Sequence, residues 1–158
     1  LINKFKNLIV VRTFSKAFGL AGMRIGYTIS NKKIIGLMLS IKPIYEINAF
    51  NMKLVRLLIK NIKVMKDYVQ EVHKGRLQLK KFLKSKNIEM IGKYSNTVLF
   101  KLESKKKVDK VIKYLFKNKF IVRPMTIDND NRFIRATLGS SKIMKKFISK
   151  LRLALNLK

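Results

Sequence analysis

The 158-residue sequence has no cysteine, no tryptophan, a single histidine and only eight acidic residues. Without cysteine the chain forms no disulfide bond and no thiolate–metal site, and one histidine with few carboxylates leaves too few ligands for a zinc or iron site built from side chains. No apolar run approaches the roughly 18 residues that a membrane span requires, and no cationic leader with a cleavage site is present. These absences predict a soluble, cytoplasmic protein with no metal centre and no membrane partner.

Charge, by contrast, is abundant and almost entirely of one sign. Lysine and arginine together number 37, so the formal net charge is +29. Such an excess is typical of proteins that bind nucleic acid or anionic membranes, but AT-rich coding, which favours Lys, Ile and Asn together, produces it as well. The lysines are dispersed over the polar faces of amphipathic segments, with one tight run at 105–107. We therefore expect compositional bias rather than a nucleic-acid partner, and the sequence leaves the choice open.

The first 60 residues have the pattern of an α/β layer. Two apolar segments, "NLIVVRT" at 7–13 and "MRIGYTIS" at 23–30, predict strands, and the glycine-containing "FSKAFGLAG" predicts a loop between them. Helices are predicted after Asn31 and from Asn48 to Lys60. Both strands are apolar on two faces, as buried interior strands are, yet too few neighbours are present to cover them. Together with a first residue other than methionine, this pattern predicts a chain that is truncated at its N-terminus.

The remaining residues predict one long helix followed by a small α+β domain. Apolar residues recur at helical spacing from Ile62 to Lys84, with a weak point at Gly75 and Arg76. Four strand-like segments and two amphipathic helices follow. The predicted organisation is the C-terminal part of a large α/β domain at 1–60, a connecting helix at 61–86 and a small α+β domain at 87–158.

Lys16 has neighbours that suit a reactive amine. It lies between an apolar, hydroxyl-bearing stretch and a glycine-rich turn, and Arg24 follows eight residues later. An apolar setting disfavours the charged ammonium, and a neutral amine condenses with aldehydes. Arginine and hydroxyl groups bind phosphate through charge-assisted hydrogen bonds. Together these groups suit an aldehyde that carries a phosphate, such as pyridoxal 5'-phosphate (PLP), although most lysines of a protein are simply solvated.

The segment "TFSKAFGLAGMRIGY" resembles the cofactor-lysine segment of fold-type I PLP enzymes. The likeness is to class II aminotransferases, and among them to the histidinol-phosphate aminotransferase family, whose pattern is Thr-x-Ser-Lys, Gly-Leu-Ala-Gly and then Arg-x-Gly followed by Tyr or Phe. The resemblance implies that Lys16 forms the Schiff base with PLP and moves the proton between the substrate Cα and the cofactor. It also implies that Thr13, Ser15 and Arg24 bind the cofactor phosphate.

Later segments resemble the same family, so the resemblance runs along the whole chain. They are "KPIYEINAF", "YSNTVLFKL", "FIVRPM" and "FIRATLGS". Arg123 and Arg135 match the two arginines that family members turn toward the substrate, and Arg135 is expected to pair bidentately with a carboxylate or a phosphate. A strand-end salt bridge is the alternative role for Arg123. The implied fold is α/β, that of a fold-type I PLP-dependent transferase: a fragment of the large domain plus the small α+β C-terminal domain.

The resemblance implies a PLP-dependent aminotransferase that moves an amino group between glutamate and imidazole acetol phosphate in histidine biosynthesis, as a homodimer when full length. The N-terminal half of the family pattern, which supplies the acid that pairs with the pyridinium nitrogen, is absent from this sequence. The fragment alone is therefore expected to be inactive. Other aminotransferases and phosphothreonine-type decarboxylases share the scaffold and stay open as alternatives. So do a basic nucleic-acid-binding protein and an inactive remnant.

Overall fold

A computed structural model describes residues 1–44 and 46–157 and divides the chain into two units, Leu1–Asp67 and Tyr68–Lys158. The division falls within the predicted long helix. The domain bounds proposed from the sequence lie instead at 60/61 and 86/87, and they stay a prediction. Tyr45, in the segment "KPIYEINAF", lies outside the described residues. Within the described ranges, no helix has the length and hydropathy of a membrane span.

The described part of the first unit contains two strands, with a 3-10 turn between them, two complete helices and the start of a third. Their bounds are Val10–Thr13 (β1), Ala21–Met23 (the 3-10 turn), Gly26–Ile29 (β2), Lys32–Ser40 (α1) and Ala49–Lys60 (α2). All four lie where the sequence predicts them, although the strands are shorter. Asn31 and Asn48 begin the two helices because their side chains accept hydrogen bonds from the backbone N–H groups of Ile34 and Asn51.

β1 and β2 form an antiparallel pair in which Thr13 lies opposite Gly26. A Cβ atom at Gly26 would lie 2.6 Å from the carbonyl oxygen of Arg12, so the close pairing requires glycine. The side chains of Val11 and Ile29 are exposed, because among the described residues the sheet has only these two strands and no further strand beside them. This exposure agrees with the expectation that too few neighbours are present to cover two strands of the interior type.

The first unit has a small apolar core made by Phe14, Ile25 and Val55. Phe14 directly follows β1, Ile25 directly precedes β2 and Val55 lies on α2. The Phe14 ring is 4.9 Å from the ring of Phe18 and 5.6 Å from that of Tyr27, measured between centroids. Apolar packing therefore anchors the base of the loop that carries Lys16.

The second unit is built on a four-stranded antiparallel sheet with the strand order β3-β4-β6-β5. Its elements are Ile62–Lys84 (α3, which begins in the first unit), Met90–Ile91 (β3), Thr97–Lys101 (β4), Lys105–Lys117 (α4), Arg123–Ile127 (β5), Asp130–Thr137 (β6) and Ser141–Leu155 (α5). Asp128 and Asn129 both have positive φ and make the tight turn between β5 and β6. The predicted helix at 62–84 and the predicted α+β pattern are confirmed.

The core of the second unit is formed by one face of the sheet and the apolar faces of the helices. Val98, Phe100 and Ile134 are at most 1% exposed, because alternate residues of a strand share a face. α4 and α5 pack against each other, and each buries a row of residues at helical spacing: Val108, Val111, Leu115, Met144, Phe147 and Leu151. Phe116 follows the buried Leu115 and is 65% exposed. It lies one residue past the buried row and so on the outer side of α4.

A carboxylate fastens α3 to the start of α5. One oxygen of Glu71 accepts a hydrogen bond from the Lys74 ammonium at 2.8 Å, and the other accepts one from the Ser141 hydroxyl at 2.7 Å. These two bonds, that of Lys74 first, lower the pKa of Glu71 to about 2. The negative charge also lies beside the positive end of the α5 dipole, so the contact stabilises the beginning of that helix.

Candidate functional site

The loop that carries Lys16 is closed at its base by the backbone of Phe14. The Phe14 N–H donates to the carbonyl oxygen of Ile25, and the Phe14 carbonyl oxygen accepts from the N–H of Leu20, both at 3.1 Å. Phe14 itself is 5% exposed. Lys16 therefore lies on a short loop whose two ends are joined by backbone hydrogen bonds and whose first residue, Phe14, is buried in the apolar core.

A tight turn places Lys16 at the outer side of this loop. The Gly19 N–H donates to the Lys16 carbonyl oxygen at 3.1 Å, and Gly19 has a φ of +71°, which glycine adopts without strain. The sequence predicts an apolar setting for Lys16, but its side chain is exposed in the described chain. The apolar residues of the loop, Phe14, Phe18 and Leu20, pack into the small core of the first unit, whereas Lys16 is not part of that packing.

Two hydroxyl groups lie next to Lys16. The Thr13 hydroxyl donates to the Ser15 hydroxyl at 2.8 Å and accepts from the Ser15 backbone N–H at 3.0 Å. This arrangement leaves the Ser15 hydroxyl hydrogen available, since its oxygen is the acceptor of that pair. The end of β1 thus presents hydroxyl donors beside an amine.

Arg24 lies between the 3-10 turn and β2 in a left-handed backbone conformation, with φ 52° and ψ 40°. For a residue other than glycine this conformation costs about 1–2 kcal/mol, and such strained residues concentrate at functional sites. Its guanidinium donates to the carbonyl oxygen of Ala21 over a long 3.4 Å. Arg24 forms no ion pair with a carboxylate of residues 1–44 or 46–157, so its charge is available to an anion.

The donor set around Lys16 fits a phosphorylated aldehyde. An amine, a pair of hydroxyls and an unpaired guanidinium come from one segment of 12 residues, Thr13 to Arg24. Phosphate oxygens accept strong hydrogen bonds from hydroxyl and guanidinium donors. The structure places Thr13, Ser15 and Lys16 at the end of β1, and Arg24 lies two residues before β2 at the same end of the β1–β2 pair.

Arg123 and Arg135 lie directly opposite each other on β5 and β6 of the second unit. Cross-strand partners share a face, with Cβ atoms roughly 4.5–5.5 Å apart, and like charges there repel. Both arginines are exposed, and neither forms an ion pair within the described chain. The strand-end salt bridge considered for Arg123 is therefore not formed with any described residue. Two unpaired guanidinium groups on one face suit an anion that bridges them.

Sequence reasoning missed the role of Arg76, which it treated as a weak point of the long helix. Arg76 is only 7% exposed, and its guanidinium donates to the carbonyl oxygens of Gly92 and Ser95. Burial lowers the pKa of Arg76. The signal in the sequence is the Gly75–Arg76 pair itself, since a glycine next to an arginine on an otherwise apolar helical face marks a close packing contact.

The described residues contain no group of three His, Asp or Glu side chains that could hold a metal ion.

Comparison with protein families gives a match to the family described as "Aminotransferase class I and II" over residues 1–151. The histidinol-phosphate aminotransferase of Sulfurimonas denitrificans is 33% identical over 151 residues, which are 93% of this chain and 40% of that protein. The chain spans about 40% of the length of the curated relatives it matches.

Solved structures show the same fold. The histidinol-phosphate aminotransferase of Clostridium acetobutylicum superimposes with a TM-score of 0.77 and 26% identity over 99% of this chain and 48% of its own. The enzyme of the same description from Sinorhizobium meliloti, in complex with pyridoxal-5'-phosphate, has a TM-score of 0.81 and 22% identity over 98% of this chain and 42% of its own. The fold class expected from the sequence is thereby confirmed.

Proposed function

Since this chain belongs to the class I and II aminotransferase family, we propose that it carries the lysine-bearing part of a PLP-dependent aminotransferase. The observation that carries the proposal is the loop at Lys16, where an amine and two hydroxyls lie at the same end of a strand pair as an arginine without a carboxylate partner. The proposed reaction is amino transfer between glutamate and imidazole acetol phosphate. The relatives named histidinol-phosphate aminotransferase support this choice of substrates.

Each residue of the motif has a separate proposed task toward the cofactor. Arg24 binds the phosphate of PLP by charge, and the Ser15 hydroxyl donates a hydrogen bond to it. Thr13 takes part in the phosphate site by holding Ser15, since its own hydroxyl hydrogen goes to the Ser15 oxygen. Their anchored loop holds these donors in place before the ligand arrives, which lowers the entropy cost of binding. PLP, when bound, supplies an electron sink for the bond that breaks at the substrate Cα.

Lys16 is the proposed base of the reaction. Its amine would take the proton from the substrate Cα and return it to the cofactor carbon that is bonded to the substrate nitrogen, a step that an amine performs well when it is desolvated. In the described chain its side chain is exposed. The residues described here therefore do not by themselves exclude water from the amine.

Arg123 and Arg135 are the proposed substrate anchors. Both partners of the proposed reaction carry anions, a carboxylate in glutamate and a phosphate in imidazole acetol phosphate, and a planar guanidinium binds either bidentately. Two arginines on one face of the β5–β6 hairpin give an anion four or more donors. We place this chemistry of small soluble metabolites in the cytoplasm, and we propose that the protein acts as a homodimer.

The test begins with the natural gene product that contains these 158 residues, purified with PLP. We expect an absorption band in the near-ultraviolet to violet region that is lost in Lys16→Ala and kept in Lys32→Ala, which removes an exposed lysine at the start of α1. After borohydride reduction, mass spectrometry should find the cofactor mass on the peptide that contains Lys16. Amino transfer from glutamate to imidazole acetol phosphate, read as 2-oxoglutarate formed, should fall by about 10²–10⁴-fold in Lys16→Ala.

Each part of the proposal has its own contradicting result. A gene product that binds no PLP overturns the enzymatic function. A band that survives in Lys16→Ala shows that another lysine holds the cofactor. A normal band without transfer to imidazole acetol phosphate, but with transfer to another keto acid or with decarboxylation of phosphothreonine, keeps the cofactor site and overturns the proposed substrate.

A further inference from the structure

The two helices α4 and α5 of the second unit concentrate the positive charge of the protein. Of their 28 residues, 11 are lysine or arginine and one, Asp109, is acidic. The basic share is therefore about two fifths in these helices, against less than a quarter in the whole chain, where 37 of 158 residues are basic. The lysines look dispersed in the sequence, but the fold gathers these onto two neighbouring helices.

Much of this charge is exposed and unpaired. Lys105 and Lys107 pair with Asp109 and Glu103. Six other lysines of the two helices are exposed and form no ion pair within the described chain: Lys106, Lys113, Lys117, Lys142, Lys145 and Lys146. Their repulsion is relieved only by counterions or by an anionic partner.

The two helices present these lysines on one surface. α4 and α5 pack side by side, and the Lys107 ammonium near the start of α4 donates at 2.6 Å to the carbonyl oxygen of Leu157, just past the end of α5. The helices are therefore antiparallel, and each is about 20 Å long at 1.5 Å per residue. Their apolar faces are buried in the core, so the lysine-bearing sides face outward. We call the six exposed lysines with the two helices that carry them the α4–α5 basic face.

We propose that the α4–α5 basic face binds double-stranded nucleic acid through its phosphate backbone, without sequence preference. Duplex DNA carries one charge per about 1.7 Å, so a stretch of about 20 Å offers roughly a dozen phosphates to six lysines. This binding is separate from the proposed amino transfer and does not depend on it. It reverses the expectation drawn from the sequence, because dispersion along the chain is not dispersion in space.

The structure favours a duplex over two other polyanions. Insertion into a membrane surface needs an apolar helix face, and the apolar faces of α4 and α5 are buried. Binding of single strands relies on a row of exposed aromatic rings on which bases stack. Within α4 and α5, which are fully described, Phe116 is the one exposed aromatic residue. A basic face without such a row suits the phosphate backbone of a rigid duplex.

The test measures fluorescence anisotropy of a labelled duplex of about 20 base pairs with the natural gene product, between about 50 and 200 mM salt. Contact of all six lysines gives a slope of log K against log salt of about −5, at 0.9 per neutralised phosphate. The triple variant Lys106→Gln, Lys113→Gln, Lys117→Gln should reduce the magnitude of this slope by about 3. The matched control, Lys33→Gln, Lys53→Gln, Lys63→Gln, removes the same charge from exposed lysines of the first unit and should leave the slope almost unchanged.

Three results overturn the proposal. The first is equal loss in both triple variants, which shows that the net charge rather than this face attracts the duplex. The second is no measurable binding at about 50 mM salt. The third is tighter binding of a single strand, or binding of phosphatidylserine vesicles in place of the duplex. If the α4 variant unfolds, which its circular dichroism reveals, the α5 variant Lys142→Gln, Lys145→Gln, Lys146→Gln tests the same face.

Discussion

At the scale of single residues, Arg76 shows what separates a structural cation from the many solvated ones. Most basic side chains of the protein reach into solvent, whereas Arg76 is buried and donates to two backbone carbonyl oxygens of the loop between β3 and β4. Those carbonyls, of Gly92 and Ser95, have no strand partner in the sheet register. The guanidinium therefore supplies this loop with the hydrogen-bond donors that a neighbouring strand would otherwise provide.

Replacement of Arg76 tests this role. We expect Arg76→Ala to lower the free energy of unfolding by roughly 2–4 kcal/mol, because two carbonyl oxygens lose charge-assisted hydrogen bonds of about 1.5–3 kcal/mol each and regain part of this from water. Urea unfolding followed by circular dichroism measures the difference. Lys80→Ala, at an exposed position of the same helix, is the control and should change stability by less than about 0.5 kcal/mol. Equal effects of the two variants would show that the Arg76 hydrogen bonds contribute nothing net.

At the scale of elements, local sequence determines where the helices begin. Asn31, Asn48 and Ser104 each accept a hydrogen bond from the backbone N–H three residues on, at 2.8–3.2 Å. These N-caps satisfy donors that the first turn of a helix leaves free. What local sequence does not determine is how closely two helices approach. Gly75, inside α3, is an example, because its role depends on residues more than 60 positions away.

Gly75 and Gly36 form a matched pair of helical glycines with opposite expected outcomes. A Cβ at Gly75 would lie 2.6 Å from the carbonyl oxygen of Gly139 and 2.7 Å from the Met144 side chain, whereas at Gly36 no atom lies within 4 Å. We expect Gly75→Ala to destabilise the protein by about 1–3 kcal/mol through overpacking. Gly36→Ala should stabilise it by about 0.5–1 kcal/mol, since alanine loses less backbone entropy.

Thermal and urea unfolding of both variants measure these changes. The comparison isolates packing, because the gain in helix propensity is the same at the two sites. A stabilising Gly75→Ala would mean that α5 moves away at little cost and that the close contact is not required.

At the scale of the whole molecule, the dominant quantity is the net charge of +29 on 158 residues. Within the described chain, six basic side chains take part in ion pairs: Lys42, Lys74, Lys101, Lys105, Lys107 and Arg132. Self-repulsion of this size destabilises a compact state. Folding therefore depends on the apolar core and on screening by ions.

This charge predicts a stability that rises with salt. Between about 10 and 300 mM sodium chloride the Debye length shrinks from about 30 Å to less than 8 Å, so the repulsion among exposed lysines is screened. We expect the midpoint of thermal unfolding to rise over this range, and to rise less in a variant with six exposed lysines replaced by glutamine. A midpoint that is flat or falls with salt would show that attractive ion pairs outweigh the repulsion.

The sequence by itself determined the positions of the helices, the α+β pattern of residues 87–158 and the motif from Thr13 to Arg24. These features depend on neighbours in the chain: apolar spacing, N-cap residues, glycine turns and the hydroxyl, amine and guanidinium groups of one segment. The family of the chain is readable from that segment for the same reason. Local signals of this kind need no knowledge of what packs where.

Only the tertiary structure decided exposure, pairing and the grouping of charge. It exposed Lys16 where the sequence suggested an apolar setting, and it placed Arg123 opposite Arg135 through strand register. It also turned Gly75 and Arg76 from a weak point into a packing contact and gathered dispersed lysines on α4 and α5. The physical reason is common to all of these: burial, register and surface potential depend on residues far apart in the chain, which only the folded backbone brings together.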